Sequence, residues 1–306
     1  MLNSMLGAVE LGLLYAFMAL GVYITFRILD FPDLTVDGSF TTGGAIAAVM
    51  ITHGYSPGLA TLGALAGGML AGLCTGLLHT KGKINGLLSG ILMMIALYSI
   101  NLRILGKPNV SLMGETTLIS LMNPLYVMPF VVIVVKVLMD VFFRTDLGLA
   151  LRATGDNSRM IRSFGVNTDS TTILGISLSN GLVALSGALI AQYQAFADSS
   201  MGIGMIVIGL ASVIIGEAIF GSGSVFRATL AVVLGSIVYR IVVALALRVD
   251  WLDASDLKLI TAIIVIVALV FPSVQRFLKQ KKSARKRTAE LARQALKGKR
   301  GGAADA

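Results

Sequence analysis

Charged residues are scarce in this chain: Asp, Glu, Lys and Arg make up 13% of 306 residues, against 56% apolar residues and a mean hydropathy of +0.85. Soluble domains carry about 25% charged residues, so an ordinary soluble fold is excluded. The single cysteine, Cys74, sits among apolar residues and excludes a disulfide framework and a Cys-based metal site. The two histidines, His53 and His79, fall at opposite ends of one hairpin, which excludes a His-cluster metal site. No Gly-x-x-x-x-Gly-Lys-Ser/Thr loop occurs, so the chain itself cannot hydrolyse ATP at a Walker-type site. The run Gly221-Ser222-Gly223-Ser224 lacks the lysine and reads as a turn. Paired carboxylates and nucleophile–base arrangements are missing from the apolar segments, so an enzyme is disfavoured and no cofactor is expected. Residues 1–8 also lack the basic stretch that opens a cleaved signal peptide.

What the chain does have is apolar length. A bilayer crossing needs about 20 apolar residues. Segments 9–26, 40–51, 58–78, 86–102, 125–143, 171–196, 203–220, 228–247 and 257–270 give nine candidates, and the second and seventh are short. The expected fold is therefore an all-α polytopic membrane protein seated in a lipid bilayer. Gly63, Gly67, Gly68, Gly72 and Gly76 supply small-xxx-small spacings that let helix backbones approach closely. Arg27 closes the first segment and no Lys or Arg precedes it, so basic-inside asymmetry puts the amino terminus outside. Eleven of the 25 Lys and Arg crowd into residues 276–300, and this tail accounts for the whole formal charge of +9. It reads as a cytoplasmic anchor to anionic headgroups. Nucleic acid is not expected as a partner, because no aromatic residue interleaves those charges beyond Phe277. Residues 248–256 form an external loop with Trp251 and an acidic patch of Asp250, Asp253 and Asp256.

The longest polar interval inside the body is 145–170, and it carries Arg152, Arg159 and Arg162 directly after Arg144. Such a loop faces the cytosol. Its apolar spacing suits two short helices broken near Gly155, with Asp156 or Asn157 capping the second and Gly165 ending it in the left-handed conformation. On its residues alone it is either a rigid presented surface or an ordinary polar loop.

The two short segments sit at matching places. Asp33 precedes Gly44 by eleven residues, Asp198 precedes Gly209 by eleven, and Ala60-Thr61-Leu62 recurs as Ala228-Thr229-Leu230. The pattern predicts an inverted repeat: residues 1–110, then a linking span 125–143, the cytoplasmic loop 144–170, a second repeat 171–275 and the tail 276–306. Interrupted helices in corresponding places of inverted halves point to a translocation site, because their unpaired backbone groups are tolerable only where they line a cavity or are buried in protein. The candidate pathway residues are Gly38, Ser39, Thr41, Thr42 and Gly43 with Gly202, Gly204, Gly209 and Ser212. Helix packing is the competing reading for each. Asp33 and Asp37 read as caps of the first short helix. Lys136 and Asp140, four apart on one helical face, read as a self-neutralised pair.

Arg152-Ala153-Thr154-Gly155-Asp156-Asn157, then Gly165-Val166-Asn167, then Leu178-Ser179-Asn180-Gly181-Leu182 resemble the coupling segment of ABC importer permeases of the branched-chain amino acid and ribose type. The resemblance extends over residues 12–274. It implies that Arg152, Ala153, Thr154, Gly155, Asp156, Asn157, Arg159, Met160, Arg162 and Gly165 dock into a separate ATPase subunit, which consumes the ATP. It also implies a second permease copy, an extracytoplasmic solute-binding protein, and a place in the bacterial cytoplasmic membrane with the carboxyl terminus inside. Glu217, in a Gly-Glu context, is expected at the coupling interface or in a salt bridge with Arg227. Leu29-Asp30-Phe31-Pro32-Asp33-Leu34-Thr35-Val36-Asp37-Gly38-Ser39-Phe40 looks most like the tryptophan/tyrosine-type permeases. That subgroup implies an amino acid or similar small solute, which the short helix ends could receive through its carboxylate. The competing function is a stand-alone ion-coupled secondary transporter, which needs buried ionisable residues and finds candidates only in Glu10, Lys136, Asp140 and Glu217.

Overall fold

The computed structural model describes residues 2–121 and 124–246, together with Leu259, Ala262, Ile263, Ile266 and Val270. The acidic loop 248–256, the segment 257–270 apart from those five positions, and the basic tail lie outside the described residues.

Among the described residues, ten α-helices and two short strands follow in order: α1 (Leu2–Val22), α2 (Thr35–Thr52), α3 (Pro57–Thr80), α4 (Gly86–Leu105), β1 (Asn109–Ser111), α5 (Leu118–Leu121), α6 (Pro124–Phe142), α7 (Asp146–Ser163), α8 (Thr168–Gln194), β2 (Phe196–Asp198), α9 (Met205–Phe220) and α10 (Val225–Ala246). A π-helical segment, Tyr23–Ile28, continues α1. Six of these helices are long and apolar enough to cross a membrane: α1 with its π-helical extension, α3, α4, α6, α8 and α10. The 16 residues of α9 fall short, and the first turns of α2 carry Asp37, Ser39, Thr41 and Thr42.

Local sequence explains the boundaries. Ser56 caps α3 by accepting from the Leu59 amide, and Pro57 supplies the first helical position. Asn85 and Asn167 cap α4 and α8 in the same way. The four-residue passage Gly221–Ser224 turns the chain between α9 and α10.

The core is built on α8. Its neighbours are α3, α2 and α1, and glycines bring the backbones together. A Cβ at Gly72 of α3 would stand 2.5 Å from the Ile176 carbonyl oxygen, and one at Gly76 would stand 2.9 Å from Ile173 Cα. Across these narrow seams, serines bond to facing backbone: Ser179 to Gly21, Ser186 to Leu14 and Ser177 to Met69, all at 2.7–2.8 Å. The packing is reciprocal, since α8 lies against α3 while α1 lies against α10, and the short helices α2 and α9 each pack on the following helix.

Two features depart from the sequence reading. The first short helix begins at Thr35 rather than Phe40, because the Asp33 carboxylate accepts from the Thr35 amide at 2.9 Å and starts the helix within the polar stretch. Gly38 and Ser39 are therefore helical. The strands β1 and β2 were not anticipated; they pair antiparallel with Val110 opposite Ala197 and tie the end of the first half to the second.

Candidate functional site

The two short helices begin beside each other and run apart. Asp37, in the first turn of α2, does not cap its own helix as the sequence suggested. Its Oδ2 accepts from the Gly204 amide at 2.9 Å and its Oδ1 from the Ile206 amide at 2.8 Å, so it caps α9 across 167 residues of chain. Thr41 Oγ1 adds a bond from the Gly202 amide at 3.0 Å. Gly204 carries φ +86°, a left-handed conformation that glycine adopts without strain. From this junction α2 extends toward the β ribbon, where Ala45, Ala48 and Ile51 cluster with Val110 and Ala197. In the other direction α9 ends with Glu217 against Arg27.

Asp33 is fully buried. It holds the amide of Thr35 with one oxygen and accepts from Asn180 Nδ2 at 2.7 Å with the other. Ser39 then donates to Asn180 Oδ1 at 2.7 Å. On the opposite side of α2, Thr42 donates to Asn101 Oδ1 at 2.8 Å, and Asn101 Nδ2 donates to the Gly38 carbonyl at 3.2 Å. The sequence reading left Asn101 unnamed and saw Asn180 only within the coupling-segment resemblance, not at this junction. The available signal was an amide side chain inside an apolar span, where an unpaired polar group is costly.

A cavity of about 400 Å³ opens at this junction, bounded by Asp37, Gly38 and Thr41 of α2, Met94, Ile95, Tyr98 and Asn101 of α4, and Ser199 and Ile203 of the passage into α9. Of the nine expected pathway residues, Gly38 and Thr41 line it. Gly202 and Gly204 stand behind it as hydrogen-bond donors to Thr41 and Asp37. Ser39 and Thr42 are spent on Asn180 and Asn101. Gly43 abuts Ala184 of α8, Gly209 abuts Val22, and Ser212 bonds back to Ile208. For these five, packing is the role the geometry gives.

The polar island forms one further surface. Its two helical pieces, joined in α7, are broken at Asn157 (φ −157°, ψ 88°), two residues past Gly155. Asn157 caps the second piece by accepting from the Met160 amide at 3.0 Å, and Gly165 follows with φ +83°. Gly155 is helical, and its missing side chain lets α7 press on the Ile28 carbonyl at the end of the π-helical segment. Thr154 meets Thr171 of α8 at 2.9 Å between hydroxyl oxygens. Arg162 donates to Thr168 Oγ1 at 2.5 Å and pairs with Asp169 at 3.4 Å. Asp156, Asn157, Arg159 and Met160 are exposed, while Arg152 and Ala153 are half-buried. A cleft of about 840 Å³ separates this surface from the 79–86 turn, with Arg159, Arg162 and Lys83 among its walls.

The four ionisable residues that an ion-coupled carrier would use have partners. Lys136 is bonded to Asp140, which also accepts from Thr229 Oγ1 at 2.7 Å, and the Lys136 ammonium lies over the Phe226 ring. Glu217 pairs with Arg27 at 3.0 Å, not with Arg227, because the π-helical segment carries Arg27 to the end of α9. Glu10 accepts from the Tyr193 hydroxyl at 3.0 Å. Among the described residues no three His, Cys, Asp or Glu side chains converge on a metal-sized space.

A glycine-welded bundle with six helices long and apolar enough to cross a membrane is the architecture of a multi-pass membrane protein, and the family match makes it a permease of the ABC-transporter type. Residues 4–270 match the model of the branched-chain amino acid transport system permease components, and the chain belongs to that family. It is 46% identical over 280 residues to a tyrosine transport system permease protein of Clostridioides difficile, covering 91% of this chain and 95% of that one. It is 27% identical to a galactofuranose transporter permease protein of Escherichia coli, over 83% of this chain and 75% of that one. Among solved structures, PsaBC from Streptococcus pneumoniae in complex with Fab shares the fold, with a TM-score of 0.54 at 13% identity and coverage of 91% and 94%.

Proposed function

We propose that this chain is the membrane subunit of an ATP-driven importer that carries an amino acid across the bacterial cytoplasmic membrane. Two copies frame the pathway, a separate ATPase binds the exposed 156–160 surface, and a solute-binding protein delivers substrate from outside. The amino terminus lies outside and the tail inside.

The observation that carries this reading is the mechanical continuity from α7 to the cavity. Gly155 seats α7 on Ile28, Ile28 ends the π-helical segment, and a few residues later Asp33 and Thr35 start α2, whose Asp37 lines the cavity. Closure of an ATPase dimer against α7 would move that whole lever. The amino acid substrate is supported by the tyrosine transport permease at 46% identity. The ion-coupled alternative is disfavoured because Glu10, Lys136, Asp140 and Glu217 are each engaged by a neighbouring side chain.

The test is reconstitution into proteoliposomes with the cognate ATPase and binding protein. Tyrosine uptake should require ATP. Combining Arg159→Glu with Met160→Asp should release the ATPase while leaving the thermal midpoint of the permease unchanged, since both side chains are exposed. ATP-independent uptake driven by an ion gradient would replace this reading with the secondary transporter.

A further inference from the structure

We propose that the cavity at the α2–α9 junction reads its substrate by the ammonium group, with Asp37 as receptor, and that Met94, Ile95, Tyr98 and Ile203 hold a large apolar or aromatic side chain. The proposal rests on the amino acid import reading above and adds to it which end of the solute is recognised and where.

A cavity of about 400 Å³ falls inside the range of roughly 300–1,000 Å³ usual for small-molecule sites. Its composition is uneven. Asp37 is the one acidic or basic residue in the lining, and the wall opposite is Met94, Ile95, Tyr98 and Ile203. The sequence reading gave the free amino end of a short helix to the substrate's carboxylate. That place is already taken, because Asp37 fills the start of α9 through the Gly204 and Ile206 amides and Asp33 fills the start of α2. A second carboxylate brought beside Asp37 would meet like charge in a weakly screened interior.

A cation fits the same place. A carboxylate offers about four acceptor positions, and the amides of Gly204, Ile206 and Met205 take three, which leaves one for a donor in the cavity. Asn101 is fixed by Thr42 and the Gly38 carbonyl, so it shapes the wall rather than competing for the ligand. Tyr98 is 50% exposed, and its hydroxyl has no hydrogen-bond partner among the described residues, which leaves it free to meet the far end of a substrate. Depth strengthens the argument. Gly38 packs on Met94 and Leu97, about half-way along α4, and an ionisable side chain that far inside a membrane bundle marks a site rather than a surface.

The test uses the permease–ATPase–binding-protein complex in proteoliposomes, with Cys74→Ser removing the exposed native thiol and Ile203→Cys as a reporter of cavity occupancy; Ser199→Cys is the second reporter. The probes are L-tyrosine, tyramine, which keeps only the ammonium, and 3-(4-hydroxyphenyl)propanoate, which keeps only the carboxylate. L-Tyrosine and tyramine should slow maleimide labelling at least about tenfold more than the propanoate does, the scale of one charge-assisted contact. Asp37→Asn should erase that difference, and Asp37→Glu should restore part of it. Equal or better protection by the propanoate overturns the proposal without any Asp37 variant, so it remains testable even if Asp37→Asn fails to fold. Unchanged discrimination in a folded Asp37→Asn complex also overturns it. Absence of tyrosine uptake in the unmodified complex would instead count against the import reading.

Discussion

Asn180 holds two buried groups: Asp33 through its amide nitrogen and Ser39 through its oxygen, each at 2.7 Å. Asn180→Ala strips both and leaves Asp33 only its bonds to Thr35, so stability should fall by about 1–3 kcal/mol, read as a lower thermal midpoint in detergent. The pair can be exchanged. In Asp33→Asn combined with Asn180→Asp the new amide donates to the new carboxylate, which still accepts from Ser39, so the double variant should recover most of what either single change loses. Arg27 and Glu217 give the opposite expectation. Arg27 is 58% exposed at its side chain, and solvent-exposed pairs are worth about 0–1 kcal/mol. Glu217→Gln should therefore shift the melting midpoint by no more than a degree or two. At this scale the sequence exposed the identities but not the partners. Asp33 and Asp37 look alike in the sequence, four apart and both just ahead of a short helix, yet one serves its own helix and the other serves a helix 167 residues away. Spacing along the chain carries no trace of that distance.

Among elements, α7 was the most legible and α2 the least. The polarity of 145–170 and the signals at Asn157 and Gly165 located α7 and its cap, because capping is a local matter of a few residues. The break falls at Asn157, near Gly155 as expected and at one of the two capping positions the sequence offered. Glycine at position 155 reflects close approach to Ile28 rather than a bend, and only the packed structure distinguishes the two uses. The start of α2 was misplaced by five residues because hydropathy does not register a polar helical turn whose hydroxyls find buried partners. Two outcomes test α7. Asn157→Ala removes a cap worth about 1 kcal/mol, so amide exchange over residues 158–163 should accelerate roughly fivefold while α8 is unaffected. Gly155→Leu places a side chain where the Ile28 carbonyl now lies. The ATPase should still co-purify, because the 156–160 surface remains, but ATP hydrolysis should continue without uptake.

For the molecule as a whole, the apolar segments and their order were readable at once, since bilayer length imposes itself on composition. The reciprocal packing of α1 on α10 and of α8 on α3 was not; residues such as Gly72 and Ile176 meet only after more than 100 intervening positions have been threaded. This arrangement supports reading the chain as two interlocked repeats rather than two adjacent bundles. The exchange of Asp37 into the opposite half then bears on how the protein is made. The ribosome releases Asp37 long before Gly204, so the newborn first half waits in the membrane with an acidic side chain whose partners do not yet exist. A chain halted after residue 121 should be cleared by membrane proteases, and pulse-chase should show its lifetime lengthening when the remaining residues are supplied as a separate polypeptide. Quality control of the unfinished protein would thus be written into a single hydrogen-bonded carboxylate, one that marks the half-made chain for disposal until synthesis is complete.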